Sequence, residues 1–497
     1  MDTLTILIVS VLVIFLSIWL SKRIQGRKSL PGPIGLPIVG YLPFLTKKIY
    51  VKLTLLADTY GPIYSIRMGS RNVLVITDFK LIKEAFASDA FMGRPPDLPI
   101  EQSETSQKSE AIIGLPWKEQ RRFSLHMLRD LGFGKTKMES HLKEEILELI
   151  ELIEKENGCP ISPAEYLTPS MSNNIASFIF GKRLKHDDPK RKMLNECFAE
   201  IGRLGLPLIP MFFPWISKVL DFFNIGTRKK FSIELGKVKK YVREEMREHE
   251  ATFDPDNIRD FIDAYLLEIQ KRAKDVTSTF HRDTLEDLAR GFFGAGSETV
   301  RLSVEWMLLI YSAYPEVQQK VHAEIDDALG SERFPTWQDR FDMPYTEATI
   351  LELMRWKPII PVNQIRYTIA DTELNGYFIP KHMDVIAIIY AVSHNKSLWG
   401  NDTDEYKPER FLTEDGKKVV KPEYFIPFSI GKRQCPGKPL AEIEVFLYVV
   451  ALLQKFEVSL QPGRKADLEE QLGMGLFPKK QEIVFKLRMS ENKMQAT

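Results

Sequence analysis

The most informative segment of the chain reads Phe428-Ser429-Ile430-Gly431-Lys432-Arg433-Gln434-Cys435-Pro436-Gly437. Its cysteine, Cys435, stands between two glycines and shortly before a helical pattern, Leu440–Phe456. Because glycine has no Cβ, Gly431 and Gly437 would let the backbone pass close to a flat ligand. A buried structural cysteine is the alternative, but that interpretation leaves the surrounding glycines and arginine unexplained.

The surroundings of Cys435 also predict a thiol that ionises readily. Helix N-termini carry unpaired N–H groups that favour negative charge, and Lys432 and Arg433 add positive potential nearby. The other cysteines, Cys159 and Cys197, form no Cys-x-x-Cys pair, and the sequence has no His-Glu-x-x-His motif. If the chain binds a metal, one lone thiolate must therefore hold it.

Composition narrows the class of protein. The chain has 497 residues, 44% of them hydrophobic, which is ample for a large buried core. A formal net charge of +1 argues against a dedicated nucleic-acid binder, so we expect no nucleic-acid partner. Three cysteines provide no disulfide framework and suit a reducing, cytosol-facing compartment.

The residues around Cys435 match the cysteine-ligand signature of cytochrome P450 enzymes, Phe-x-x-Gly-x-Arg-x-Cys-x-Gly, at every specified position. The chain resembles this family from the proline-rich segment nearly to the C-terminus, and it resembles especially the microsomal group of steroid and xenobiotic hydroxylases. The resemblance implies a mainly α, single large cytochrome P450 fold with a minor β portion. It also implies haem b (iron protoporphyrin IX), with Cys435 as the axial ligand of the iron and Phe428, Arg433 and Gly437 in the cofactor site.

The N-terminus predicts a membrane anchor. Leu4–Leu20 is uncharged and apolar, and as a helix it would span about 26 Å, close to the thickness of the bilayer hydrocarbon. Four basic residues follow within residues 22–28, which predicts that the rest of the chain stays cytosolic. A cleaved signal peptide would need a basic region before the apolar run and a small-residue cleavage site after it, and neither is present.

These features predict a single-pass protein of the endoplasmic reticulum membrane, with its catalytic domain facing the cytosol. We expect three parts: a transmembrane signal-anchor over residues 1–21, a basic and proline-rich connector over 22–48, and a haem-thiolate monooxygenase domain over 49–497. Proline blocks helix continuation, so the connector should be stiff and irregular.

Periodicity supports a mainly helical body. Strand-like patterns flank Gly69-Ser70 as a short hairpin, and further short strands are predicted at Arg366–Ile369, Tyr377–Ile379 and Val385–Ile389. Long helical patterns follow, and they cover Met138–Asn157, Lys190–Leu206, Arg228–Ala251, Leu285–Tyr314, Pro315–Leu329, Met343–Lys357 and Leu440–Phe456.

Three basic or aromatic positions match the residues with which the family holds the haem propionates. Trp117 and Arg121 are four residues apart, so on a helix both side chains can reach one carboxylate. Arg366 lies where the family often places another propionate-binding residue. Taken alone, either arginine would be interpreted as a solvated basic residue.

A second set of matches predicts a structural brace. Glu352 and Arg355 form the Glu-x-x-Arg pair of the family, and their spacing of three permits an ion pair on one helical face. Arg410, within Pro408-Glu409-Arg410-Phe411, would be the third member. We expect this trio to support the loop that presents Cys435.

The segment Gly294-Ala295-Gly296-Ser297-Glu298-Thr299 lies inside a long helical pattern, where glycine is unfavourable by up to about 1 kcal/mol relative to alanine. Room for dioxygen beside the haem would explain the glycines, and a close helix crossing is the alternative. The resemblance implies that Glu298 and Thr299 are catalytic and deliver protons, with Thr299 bonding back to a carbonyl and Glu298 linking to bulk solvent.

The resemblance implies insertion of one atom of O2 into a small lipophilic substrate, which could be a steroid, a fatty acid or a xenobiotic. The chain has no NADPH or flavin signature, so electrons would come from NADPH through NADPH–cytochrome P450 reductase, with cytochrome b5 as a further partner. The alternatives are a haem-thiolate isomerase or lyase that needs no reductase, and a haem-binding sensor. A basic docking face would comprise Lys118, Arg122, Arg129, Lys432 and Lys438.

The sequence also indicates which segments would contact membrane lipid and which would form the walls of the substrate pocket. The aromatic and proline-rich segment Pro207–Phe223 predicts either a second contact with membrane lipid or a loop packed onto the core. By analogy with the family, largely apolar segments would form the pocket walls. These are Glu101–Gly114, Leu204–Phe213, Phe292–Thr299, Pro358–Val362 and Gly473–Phe477.

Overall fold

The computed structural model describes residues 30–96, 115–132, 136–185, 188–205, 209–213, 219, 222–223, 227–330 and 333–488. These residues form two compact units. The first comprises the described part of Met1–Pro95 together with Gln364–Ile388, and the second comprises the described parts of Pro96–Asn363 and Ile389–Thr497.

The first unit contains the main sheet. The predicted hairpin is confirmed: strand β1 (Ile63–Met68) pairs antiparallel with β2 (Arg71–Ile76), with Met68 opposite Arg71 at the turn. Strand β6 (Asp384–Ala387) then pairs parallel with β2, and β3 (Arg366–Tyr367) completes the order β1-β2-β6-β3. All four residues of β6 are buried, which explains their almost continuously apolar sequence.

Shorter elements complete this unit. Strands β4 and β5 form a separate antiparallel pair, and helices α1 and α2 lie before and after the hairpin in the chain. Their bounds are Thr372–Leu374 for β4, Tyr377–Ile379 for β5, Ile49–Tyr60 for α1 and Phe79–Ala87 for α2.

The proline-rich segment packs onto β1 in its described part. The Ser65 N–H donates to the Pro31 carbonyl at 2.8 Å, and the Tyr41 N–H donates to the Arg67 carbonyl at 2.6 Å. A Cβ at Gly32 would lie 1.9 Å from the Ser65 carbonyl oxygen, so only glycine fits there. Residues 30–48 therefore pack as part of the first unit, and the predicted stiffness of the connector stays a prediction.

The second unit is helical, which confirms the mainly α architecture with a minor β portion. All seven helices predicted from the sequence patterns are present, with ends that differ by at most three residues from those patterns. The long helices are α3 (Leu115–Asp130), α4 (Thr136–Glu154), α5 (Pro163–Ile179), α6 (Pro189–Leu204), α8 (Thr227–Ala251), α9 (Phe261–Lys271), α10 (Arg282–Ala313), α11 (Pro315–Leu329), α12 (Pro344–Trp356) and α15 (Lys438–Lys455). Short helices are α7 (Ile209–Phe212), α13 (Ile389–Ser393) and α14 (Lys396–Trp399).

Helix α10 runs through the core of this unit and packs mainly against α5, with α15 on another side. Trp306 and Tyr311 of α10 and Tyr448 of α15 are fully buried. Helix α5 was not predicted, because its buried residues are not confined to one apolar face: it buries Ser170, Asn173 and Asn174 as well as its apolar residues. Two short strand pairs were also missed, β7 (Phe456–Ser459) with β10 (Val484–Leu487) and β8 (Glu470–Leu472) with β9 (Leu476–Pro478).

No helix within the described ranges is both long enough and apolar enough to cross a membrane. The predicted anchor, residues 1–21, lies outside the described residues. In the segment Pro207–Phe223, which is described only in part, Phe212 and Phe213 are buried, whereas Phe222 and Phe223 are 79% and 61% exposed. The first two aromatic residues therefore pack inward, and the last two do not.

Candidate functional site

The loop before α15 folds back on itself and presents Cys435. The Cys435 N–H donates to the Phe428 carbonyl at 3.0 Å, and the Gln434 N–H donates to the Gly431 carbonyl at 3.0 Å. Ser429 and Gly431 adopt positive φ angles of 62° and 79°, a backbone region that most side chains disfavour. These two residues make the turn that carries the chain back past Phe428 to the cysteine.

Helix α15 begins at Lys438 with Gly437 as its N-cap, so Cys435 lies just before a helix N-terminus, as predicted. Cys435 is an exposed residue, although protein atoms surround much of its thiol. Burial raises its pKa, and the N–H groups of Gly437 and Lys438 and the charge of Arg121 only partly oppose this effect. The prediction of a readily ionised free thiol is therefore wrong, because loss of water outweighs these favourable contacts.

Helix α3 brings the predicted aromatic and basic partners to this loop. The guanidinium carbon of Arg433 lies 4.0 Å from the centroid of the Trp117 ring, and that of Arg121 lies 5.9 Å from it. Arg121 donates to the Gln434 carbonyl at 2.5 Å. Trp117, Arg121 and Arg433 therefore lie together beside the residue that precedes Cys435.

Arg366 belongs to the first unit. It begins β3, is 1% exposed, and places its guanidinium carbon 3.5 Å from the ring centroid of Phe86. One terminal nitrogen lies 3.6 Å from the sulfur of Met92. This environment shows a buried arginine rather than a solvated one, and its predicted contact with a propionate stays a prediction.

An open groove of about 640 Å³ lies along α3 and reaches the cysteine loop at Lys432. It contains four of the five residues of the predicted basic face, whereas Lys438 lies 4.0 Å from Glu442 on α15. The lining residues are Trp117, Lys118, Arg121, Arg122, Leu125, His126, Arg129 and Lys432. The groove is therefore a positively charged surface with aromatic and aliphatic parts.

The predicted brace is assembled. Arg355 donates to both carboxylate oxygens of Glu352 at 2.7 Å, and Arg410 donates to the same carboxylate at 3.3 Å. Arg355 also donates to the carbonyls of Ser393, Thr403 and Glu405. Burial raises the pKa of Glu352, while the two arginines and a backbone N–H oppose the rise.

Aromatic packing connects this brace to the cysteine loop. Arg410 donates to the carbonyl of Trp399, and the neighbouring Phe411 ring lies 4.9 Å from that of Phe425. The loop starts directly after Phe425, where the Ser429 N–H donates to the Ile426 carbonyl. The brace is therefore placed to fix the base of the loop that carries Cys435.

The packing of helix α10 explains one of its glycines, Gly296. A Cβ at Gly296 would lie 2.9 Å from the side chain of Ile175 on α5, and a Cβ at Gly294 would make an ordinary contact of 3.4 Å with Phe198. Close packing of α5 against α10 therefore explains Gly296, and the expectation that it provides room for dioxygen is not needed. Thr299 bonds back as predicted, donating to the Ala295 carbonyl at 2.8 Å.

The environment of Glu298 differs from the expectation of a link to bulk solvent. Its carboxylate is buried and accepts two hydrogen bonds from Arg301, which in turn donates to Glu305. Sequence reasoning missed Arg301 and Glu305, although their spacing of three and seven residues from Glu298 indicates one helical face.

Several predicted pocket segments meet in the second unit. The Met474 N–H donates to the Gly202 carbonyl at 3.0 Å, and the Leu476 N–H donates to the Ile359 carbonyl at 2.8 Å. Gly202 also lies close to Glu298 of α10. The end of α6, the β8–β9 hairpin and the segment after α12 thus border α10, while residues 101–114 lie outside the described residues.

The residues of the site suit a flat, anionic, iron-bearing ligand. Cys435 offers an accessible sulfur donor, and Arg121 and Arg433 offer cations for carboxylates. Even a Cβ on Gly437 would lie 3.9 Å from the sulfur, so the backbone of this residue does not crowd the donor atom.

Comparisons with known proteins identify the family of the chain. The family model "Cytochrome P450" matches residues 30–485. The chain is 35% identical over 465 residues to cytochrome P450 2J2 of Homo sapiens, covering 92% of this chain and 91% of that protein. It is 34% identical over 453 residues to cytochrome P450 2C23 of Rattus norvegicus (89% and 90% covered) and 33% identical over 484 residues to cytochrome P450 18a1 of Drosophila melanogaster (95% and 89% covered). The chain therefore belongs to the cytochrome P450 family of haem-thiolate monooxygenases.

Proposed function

We propose that Cys435 would provide the thiolate sulfur that holds the iron of haem b, and that the second unit would build the surroundings of this sulfur. Trp117, Arg121 and Arg433 would hold the propionates, because they already lie together beside the residue before the cysteine. Phe428 would close the loop, since its carbonyl accepts the Cys435 N–H. Arg366 would be a further propionate partner, and this assignment rests on the family resemblance alone.

When bound, the haem supplies dioxygen activation and the transfer of one oxygen atom to the substrate. The protein's own part is to position groups and move protons. The Thr299 hydroxyl donates to Ala295 and keeps its oxygen lone pairs for a water, and the Glu298 carboxylate can take up and release a proton. We assign proton delivery to these two residues.

The substrate we propose is a small lipophilic molecule. The described wall segments of the second unit are largely apolar, and Phe477 of β9 packs at the point where α6 and α10 approach each other. A pocket of this kind excludes water and binds through apolar area rather than through many polar contacts. Steroids, fatty acids and lipophilic xenobiotics share that chemistry.

Electrons would come from NADPH through NADPH–cytochrome P450 reductase, with cytochrome b5 as a further donor. The basic groove along α3 supports this assignment, because it lies beside the loop of the proposed iron ligand and would attract an acidic protein surface. The apolar run Leu4–Leu20 and the basic residues that follow it support a single-pass anchor in the endoplasmic reticulum membrane. The parts would then be residues 1–21, 22–48 and 49–497.

The observation that carries the proposal is the accessible sulfur of Cys435 at the start of α15, with Arg121 close enough to influence its pKa. The test is the absorption spectrum of the dithionite-reduced protein under carbon monoxide. The unaltered chain should give the band typical of thiolate-ligated haem, and Cys435→His should give that of a histidine-ligated pigment. Cys159→Ser, which removes an exposed cysteine elsewhere, is the matched control and should leave the spectrum unchanged.

Turnover is tested separately. The full-length protein with reductase and NADPH should consume NADPH and form hydroxylated product with at least one member of a panel of steroids, fatty acids and xenobiotics. Haem binding with product formation from organic peroxides but no NADPH consumption would identify an isomerase or lyase instead. A shift of the Soret band on substrate entry would show which class binds.

A further inference from the structure

Three charged residues of α10 form a cluster that the proposed chemistry uses only in part. Glu298, Arg301 and Glu305 lie within about 60° of arc on one face of the helix. Arg301 donates to one oxygen of Glu298 at 3.0 Å and to the other at 2.6 Å, and its remaining terminal nitrogen donates to Glu305. A single guanidinium is therefore shared by two carboxylates.

The cluster is enclosed by neighbouring elements of the second unit. The side chains are exposed by only 12% for Glu298, 6% for Arg301 and 12% for Glu305. A Cβ at Gly202 on α6 would lie 3.2 Å from a carboxylate oxygen of Glu298. Phe477 covers Arg301, with 5.7 Å between the guanidinium carbon and the ring centroid. Since buried charges are costly without partners, neither carboxylate can leave Arg301 freely.

The charges of the cluster do not balance. Two carboxylates face one guanidinium in a buried place, so a single positive charge cannot neutralise both of them in their ionised forms. Burial raises the pKa of Glu305, Arg301 opposes the rise, and the charge of Glu298 adds to it. Among the described charged groups of the neighbouring elements, Lys357 pairs with Glu470 and lies 5.7 Å from the ring centroid of Trp306, and Arg203 of α6 pairs with Glu200.

We propose that Arg301 and Glu305 are positioning residues for proton delivery: Arg301 holds the Glu298 carboxylate in one orientation, and Glu305 competes for the same guanidinium and so weakens that hold. This inference rests on the proposed role of Glu298. It assigns no contact with substrate or cofactor to Arg301 or Glu305. Both act through Glu298.

Removal of the charge of Glu305 and removal of the charge of Arg301 should shift the pH profile of proton delivery in opposite directions. Removing the charge of Glu305 leaves Arg301 to Glu298 alone, which favours the ionised carboxylate and moves its protonation to lower pH. Removing the charge of Arg301 leaves two carboxylates in one buried site, which favours the protonated form and moves it to higher pH. A merely structural role would lower stability without moving the pH profile in opposite directions.

The experiment uses the full-length, haem-loaded protein with reductase. Product formed per NADPH and hydrogen peroxide released are measured across the neutral pH range for Glu305→Gln, Arg301→Gln and Arg301→Lys. Glu305→Gln should move the midpoint of the profile to lower pH by about half a unit or more. Arg301→Gln should move it to higher pH and lower kcat by about tenfold with little change in KM, and Arg301→Lys should restore part of kcat.

A matched control comes from the same helix. Arg290 is also buried and forms an ion pair with Asp287, three residues before it, so Arg290→Gln removes a comparable pair outside the cluster. It should leave the pH profile unchanged. As a readout independent of turnover, the unfolding temperature of Glu305→Gln should vary less with pH than that of the unaltered protein.

The results separate the two proposals. If the unaltered protein turns over and the Glu305→Gln and Arg301→Lys proteins reproduce its pH profile and coupling, the inference is overturned. It is also overturned if Arg290→Gln moves the profile as much as the cluster variants do. If Arg301→Gln does not fold, the pH profiles of Glu305→Gln and Arg301→Lys test the inference. A chain that binds haem but never consumes NADPH contradicts the proposed function instead.

Discussion

Arg355 donates to both carboxylate oxygens of Glu352 at 2.7 Å, and both side chains are completely buried. Arg410 adds a third contact, and the carbonyls of Ser393 and Thr403 accept further hydrogen bonds from Arg355. A buried charge that loses its partner retains the cost of desolvation. The loss of one partner should therefore lower stability by more than the net attraction between the two charges contributes.

Removal of one partner should therefore destabilise the second unit. We expect Glu352→Gln to lower the free energy of unfolding by about 3–5 kcal/mol and to reduce haem retention. Urea unfolding and the haem content after dialysis measure the two effects. The exposed pair of Lys320 with Glu409 is the control, and Glu409→Gln should change stability by no more than about 1 kcal/mol. Equal effects at the two sites would contradict the role of the brace.

Glu444 of α15 should make stability depend on pH. Burial raises its pKa to about 8 in the folded protein, well above the ordinary value of 4.5. A raised carboxyl pKa favours the folded state fully below pH 4.5, and the contribution is lost as pH rises to about 8. Between these values stability should fall by up to about 1.4 kcal/mol per pH unit.

Glu444→Gln should remove this dependence, because glutamine stays neutral. Unfolding free energies at several pH values between the two limits measure the effect. Glu442→Gln, two residues away and paired with Lys438, is the matched control and should retain the slope of the unaltered protein. A slope that persists in Glu444→Gln would show that this carboxyl is not its source.

Thr299→Ala should uncouple oxygen consumption from product formation. The variant loses the hydroxyl that we propose to hold a water for proton delivery, so more of the electrons from NADPH should reduce O2 to hydrogen peroxide instead of forming product. We expect product per NADPH to fall by about tenfold or more. Ser303→Ala is the control, since Ser303 also bonds back to a carbonyl of α10, that of Thr299. Unaltered coupling in Thr299→Ala would favour an isomerase or lyase.

Gly296→Ala should destabilise the contact of α5 with α10. Its Cβ would lie 2.9–3.1 Å from the side chain of Ile175, and overpacking of this kind costs about 1–3 kcal/mol. Ile175→Val should recover part of the loss in the double variant. Gly294→Ala, whose Cβ makes an ordinary contact, should be neutral or stabilising by up to about 1 kcal/mol. The measurement is the unfolding temperature of the unaltered protein, Gly296→Ala, the double variant with Ile175→Val, and Gly294→Ala.

Charge reversal in the basic groove should slow reduction by the reductase. We expect Arg122→Glu with Arg129→Glu to lower the rate about tenfold at low salt and to reduce its salt dependence, because electrostatic steering is lost. Arg464→Glu with Lys465→Glu is the control, since both residues are exposed and neither lines the groove. Stopped-flow reduction under carbon monoxide provides the rates. An unchanged salt dependence in the groove variant would refute docking there.

Local sequence was sufficient for the short-range arrangements within the candidate site. The cysteine loop, the i, i+4 pair of Trp117 with Arg121 and the i, i+3 pair of Glu352 with Arg355 depend on short-range geometry, which the sequence carries directly. Long amphipathic helices were predicted for the same reason. Helix α5 was missed because burial on several sides removes the periodicity that sequence analysis detects.

The properties that arise from neighbours distant in the chain could be learned only from the packed structure. The pKa of Cys435 is raised rather than lowered, because desolvation depends on everything that folds around the thiol. Gly296 is required by Ile175, more than a hundred positions earlier, and the parallel pairing of β2 with β6 joins strands about three hundred residues apart. Residue identity and spacing thus specified the family and its chemical groups, whereas the environment of each group was decided by long-range packing, since desolvation and close contact are properties of the assembled interior.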